Sequence, residues 1–337
     1  MAAIRLRSPR YRDSVCSATH LSVQMTIKIN NVIRYTIIKD STAGFKNLFE
    51  YAELSRDYIN IEWTGSYANF APQSGLVIVT DIKYFAGVNG TGSEVTSGIS
   101  GGGIVTQSGF DSYSNFVEGY NKDIANGLAL ISNYSETSGD VKTYTVYYPS
   151  GLIGRIPYLK SDGTQIIYQA FLANSTSITL ANTTSTVINL KRYHCNKYEQ
   201  IAISFINKYG ALQREYFTLK NTQRITAKRE NYNRNIVGSQ GQYSINKHTI
   251  QNFNIEANEE MTVNSDYLPE YYNEVFTELL LSDYVWATLT SPSTNNLNQI
   301  PINITDSNLT YKTQVNDRLI NFTFNFKMSY DYIQNVR

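Results

Sequence analysis

Few side chains in this 337-residue chain have the types and spacing that chemistry needs. His20, His194 and His248 have the type of a general base or a metal ligand. They lie far apart, each in or beside a stretch that reads as strand, with no Gly-x-Ser-x-Gly elbow and no His-Glu-x-x-His helix beside them. Ordinary strand histidines are the plainer reading. Glu259-Glu260, and Asp331 with Asp317, have the carboxylates of a glycosidase pair, whose groups stand ~5 to 9 Å apart; acids flanking turns are more often solvated. Gly90-Thr91-Gly92 is not framed as a nucleotide-binding turn, and no Lys-Ser/Thr follows its glycines. Cys16 and Cys195 have no second Cys or His at metal-ligand spacing, despite His194, and form no disulfide framework. Arg224, Lys228, Arg229, Tyr232 and Arg234 interleave cations with a ring and could touch a phosphate backbone. A net charge of +1 favours a salt-bridge strip between subunits instead. The expectation is a chain that is not an enzyme, with no cofactor and no metal.

The elements that would position these residues are mostly strands. From Ile320 to Tyr332 apolar residues alternate with Asn321, Thr323, Asn325, Lys327, Ser329 and Asp331, which puts the apolar groups on one face of a long strand. Leu21 to Ile29 alternates as strictly, Asn30-Asn31 tolerates positive φ, and Val32 to Lys39 returns as the second strand of a hairpin. The spacing of Leu48, Tyr51, Leu54 and Tyr58 predicts a helix capped at Asn47, with Glu50 closing a capping box. Strands are expected at Ile59 to Trp63 and Leu76 to Phe85. Residues 87–109 read as a mobile loop, rich in Gly, Ser, Thr and Val around Gly101, Gly102 and Gly103. Short strands at 143–148, 166–171, 177–180, 187–192, 201–206 and 215–219, punctuated by turn residues, suggest a sandwich of antiparallel sheets. Tyr243 to Met261 reads as extended. Pro269 fits the first turn of a helix with Tyr272, Val275, Phe276, Leu279 and Leu280 on its apolar side, followed by strands from Val285, at 302–304 and at 309–313.

The fold class expected is therefore mainly β, antiparallel β-sandwich domains each with one flanking α-helix, in two related units. The divisions are a basic arm at 1–20, a β domain at 21–125, a middle sandwich at 126–220 and a second helix-bearing β domain at 221–337. No apolar run approaches the ~20 residues of a membrane helix, and near-neutral charge gives no steering toward nucleic acid or an anionic membrane. The 27 tyrosines against two tryptophans, with abundant Asn, resemble chains that meet proteins over polar, wet surfaces; AT-rich codons are an equal explanation.

Several runs carry a resemblance: Ala202-Ile203-Ser204-Phe205-Ile206-Asn207-Lys208-Tyr209-Gly210-Ala211-Leu212-Gln213, Lys228-Arg229-Glu230-Asn231-Tyr232, Glu278-Leu279-Leu280-Leu281-Ser282, and Lys312 to Phe322. With Ile4 to Tyr11 and Tyr51 to Tyr58, they resemble virion structural proteins of tailed bacteriophages of marine and other environmental bacteria. The resemblance implies a tail-tube-like fold and a tail-ring, distal-tail or baseplate subunit, assembled in the bacterial cytoplasm into the virion. Its partners would be itself, as a cyclic trimer or hexamer, and other virion proteins, with no membrane and no nucleic acid. It transfers no catalytic residue. Candidate subunit-interface residues are Asn321, Thr323, Asn325, Gly101, Gly102, Gly103, Arg5, Arg7 and Arg10. A receptor-binding or fibre-type protein that holds host glycans is the alternative, and a virion-associated polysaccharide hydrolase a third reading.

Overall fold

The computed structural model describes the chain except residues 16–20, 41–45, 62, 64–72, 97–101, 126–127, 134, 182–185, 195–196, 236, 239, 243–244, 291–296, 312–319 and 332–337. The described residues are mainly β, arranged in several sheets. They form two compact units whose segments interleave: Met1–His194, Phe205–Arg214 and Tyr271–Tyr284 make the first, and Cys195–Ser204, Glu215–Glu270 and Val285–Arg337 the second. These units do not follow the divisions at 125/126 and 220/221 read from the sequence. Sequence patterning marks elements, but long-range packing decides which elements share a core.

In the first unit, one sheet runs in the order Asp123–Ile124, Ala2–Arg5, Gly103–Phe110, Leu76–Phe85, Ser22–Ile29, Val32–Asp40. The alternation of Val23, Met25, Ile27 and Ile29 places all four in the core with Ile78, Ile82 and Tyr84. Asn30 and Asn31 turn the expected hairpin at φ 50° and 66°, the left-handed region a tight hairpin needs. Within the expected basic arm, Ala2–Arg5 is a strand inside this sheet, because Ala3, Ile4 and Leu6 are apolar enough to be buried.

Three further expectations are corrected in this unit. Lys46–Glu50 is a strand paired with Tyr11–Val15, not the start of a helix; Phe49 and Tyr51 are the buried pair, a period of two, while Leu48 is exposed. Helix α1 is only Ala52–Arg56, and Glu50 caps it from outside, its Oε1 accepting from the Ala52 N–H at 2.9 Å. Ile59, Asn60, Ile61 and Trp63 carry no strand. The expected loop becomes a strand from Gly103, which pairs with Leu76–Phe85 on one side and, in parallel, with Ala2–Arg5 on the other. There Gly109 serves close packing rather than mobility, since a Cβ on it would lie 2.6 Å from Leu6 Cδ1 and 2.8 Å from Ile78 Cδ1.

The expected middle strands appear as Val141–Pro149, Gln165–Phe171, Ser177–Thr179, Thr186–Tyr193, Ile201–Ile206 and Leu212–Phe217. One correction is needed, as Val141–Pro149 and Thr186–Tyr193 pair in parallel. Helix α2, Tyr272–Leu280, buries Tyr272, Val275, Phe276 and Leu279 as its spacing predicts, and it belongs to the first unit; Pro269 precedes it rather than opening it.

The sheet of the second unit ends in the order Val285–Thr290, Leu297–Ile304, Thr323–Met328, Ile250–Asn264, Thr222–Asn233. The terminal strand is shorter than its alternation suggests. Ile320 makes an isolated bridge to Leu268, and Phe322, Phe324, Phe326 and Met328 are buried. Phe324 meets Phe217 edge to face at 5.9 Å. Tyr330 is exposed. Leu309, Thr310 and Tyr311 form no strand, and 312–313 lie outside the described residues.

Candidate functional site: an exposed β-ribbon

The expected interface residues fall in separate places. Arg5, Arg7 and Arg10 are spent within the first unit, on Glu118 at 2.8 Å, Asp283 at 3.4 Å and Asp123 at 2.7 Å. Arg56 joins Asp283 at 2.7 Å and the buried Asp111 at 3.4 Å, whose carboxyl is raised by burial. Gly102 and Gly103 line a cleft of about 360 Å³ with Asp81, Lys83 and Glu94; Gly101 lies outside the described residues. On the terminal strand, Thr323 Oγ1 donates to Asn264 Oδ1 at 2.6 Å, Asn325 Nδ2 to Asp306 Oδ1 at 2.8 Å, and Asn321 Nδ2 to the Ser265 carbonyl at 3.1 Å. That strand is flanked on both sides by partners, so its polar row stitches the sheet.

Ionisable groups concentrate in the first unit around Glu278, which the sequence reading passed over. It lies three residues after Val275 and so on the packed side of α2, the one signal that could have found it. Burial pushes its carboxyl up to about 7, against the pull of Lys208 and of the Ser132 hydroxyl, which donates to it. Lys208 Nζ stands 3.7 Å from Glu278 and closer to Glu274. Burial opposes the Lys208 ammonium, yet Tyr209 and the two carboxylates raise its pKa. Two acids thus share one cation. Asn207 completes the group, its Nδ2 donating to the Leu130 carbonyl at 2.7 Å. Glu278, Ser132 and Lys208 are all buried. The cluster clasps α2 to the 207–210 turn.

The second unit holds the opposite extreme. Strand Thr222–Asn233 is exposed at all 12 positions. It pairs antiparallel with Ile250–Asn264, whose last residues, Glu260–Asn264, pair with Thr323–Met328. The ribbon therefore starts in the sheet and runs on beyond it. Near its base charges alternate in sign across the pair, Arg224 opposite Glu260 and Lys228 opposite Glu256. The sequence reading named Arg224, Lys228, Arg229, Tyr232 and Arg234 as a strip; the structure places the first four on one outer strand and Arg234 just past its end. The segment expected to be extended from Tyr243 to Met261 covers most of the returning strand Ile250–Asn264; the missed feature is its pairing with Thr222–Asn233, which sets its acids opposite the cations. Among the described residues no cluster of His, Cys, Asp and Glu has metal-binding geometry, and no helix is long and apolar enough to cross a membrane. No family model matches the chain, and neither a curated protein nor a solved structure matches it.

Proposed function

We propose that this protein is a structural subunit of a tailed-bacteriophage virion, a tail-ring, distal-tail or baseplate component that closes into a cyclic homo-oligomer through β edges and loops. On this reading its sheets stack as tail-tube-like sandwiches, it works in the virion, and it carries no catalytic step. The observation that carries the proposal is the Thr222–Asn233 edge strand, exposed along its whole length at the end of its sheet. An open edge is a template for another strand. Arg224, Lys228 and Arg229 discourage indiscriminate pairing there, so only a charge-matched neighbour is accepted. Ring closure needs such a heterologous contact. The resemblance of residues 202–213, 228–232 and 278–282 to virion structural proteins supports the same reading.

Light scattering on the eluted protein tests it, together with electron microscopy. A trimer or hexamer that appears as rings is expected. Reversing Arg224, Lys228 and Arg229 to Glu should dissociate it, and higher salt should weaken it. A monomer at all concentrations would sink the proposal.

A further inference from the structure

We infer that the far end of the ribbon is a lipid-contact device that seats in the headgroup layer of an anionic bilayer. This goes beyond the assembly role of the ribbon's base and does not depend on it.

The acids of the ribbon stop at nearly the same level on both strands. Glu230 stands opposite Asn254, and Glu256 opposite Lys228 two positions below. From 231 to 255 the sequence has no Asp or Glu and carries Arg234, Lys247 and His248. The same stretch exposes apolar groups: Val237 at 54%, Ile245 at 89%, Ile250 at 62% and Phe253 at 71%. Below that level both charge signs are interspersed, as a protein neighbour tolerates. Above it the only charged side chains are cations, and they stand with exposed apolar groups among uncharged Asn, Gln, Ser and Thr, a combination compatible with the polar headgroup layer of an interface.

The distribution over the two faces separates a bilayer from a protein groove. Tyr232 pairs with Gln251 and Ile250 with Asn233, adjacent positions whose side chains point to opposite faces. A groove on a neighbouring subunit would cover one face of a ribbon, whereas a fluid medium surrounds both. Nucleic acid would attract the cations and could stack on Tyr232 or Phe253, but the more numerous exposed aliphatic groups Val237, Ile245 and Ile250 have no π face and would gain nothing from it. The tip also satisfies part of its own backbone: the Arg234 N–H donates to the Thr249 carbonyl at 2.8 Å and the Gly238 N–H to Gln242 at 2.8 Å. Paired backbone is a condition for approaching the hydrocarbon boundary.

The test is co-sedimentation of the full chain with vesicles of phosphatidylcholine alone and with a quarter phosphatidylglycerol. Binding to the anionic vesicles only, weakened by salt, is expected. Arg234→Ala with Lys247→Ala should weaken it about thirtyfold, the effect of two cations at an anionic surface. Ile245→Ser with Phe253→Ser should abolish it, and a Phe253→Trp protein should blue-shift its emission on those vesicles. No binding by the unaltered chain, binding unchanged in the variants, or no emission shift overturns the inference. It is equally overturned if the tip variants dissolve an oligomer, or if single-stranded DNA binds the tip and vesicles do not. A ring that ignores vesicles would overturn this inference and leave the assembly reading standing.

Discussion

Glu278 carries a carboxyl into the packed side of α2, and its protonation is tied to stability. Its pKa rises from 4.5 to about 7 on folding. Between those values the unfolded chain has lost the proton that the folded chain keeps, so stability falls as pH rises through this window and levels off above it. Glu278→Gln should remove that fall, which is on the order of 3 kcal/mol, flattening a plot of urea midpoint against pH from 4.5 to 7.5. If the variant keeps the slope of the unaltered protein, the carboxyl is not its source. Phe324 is nearly inaccessible and meets Phe217 edge to face. Phe324→Ala should lower the unfolding free energy by about 3 to 5 kcal/mol, measured by urea titration.

Among the elements, the Ser22–Ile29 and Val32–Asp40 hairpin was legible in its strands and turn because alternation and turn chemistry agree, though not in the register shift between Ile27 and Lys28. Asn30 has a second task, its Oδ1 accepting from the Val77 N–H at 3.2 Å, so Asn31 is the position free to change. Asn31→Gly should raise stability by about 0.5 to 1 kcal/mol, and Asn31→Val should lower it by about 1 to 3 kcal/mol, both read from thermal midpoints. The Lys46–Glu50 segment shows the opposite case. Its residues fit a helix period and a strand period at once, and the Tyr11–Val15 partner decided for the strand. For the terminal strand, alternation gave the buried face correctly but could not say that both edges have partners. Asn325 lies beside Asp306, so Asn325→Asp should lower the thermal midpoint by setting two carboxylates together; an unchanged midpoint with lost assembly would return this residue to the interface.

For the whole molecule, the chain passes between its two units at 194/195, 204/205, 214/215, 270/271 and 284/285. Neither unit is a contiguous stretch. A fragment of residues 1–194 lacks Asn207, Lys208 and Glu278, and leaves the Leu130 carbonyl and the Ser132 hydroxyl without those partners. It should show no cooperative melt by circular dichroism, and a sharp transition would show that the clasp is dispensable. The sequence by itself determined the β class, the inward faces of the strands and the apolar side of α2, since these follow from periods of two and 3.6 that each segment carries alone. It also showed the basic residues of the ribbon, though not that acids stand opposite them. Only the tertiary structure decided that Ala2–Arg5 lies inside a sheet, that α2 belongs with the first unit, that Glu278 and Lys208 meet, and that Thr222–Asn233 stands exposed. Those outcomes rest on pairings between residues far apart in the chain, whose burial and register no local pattern encodes.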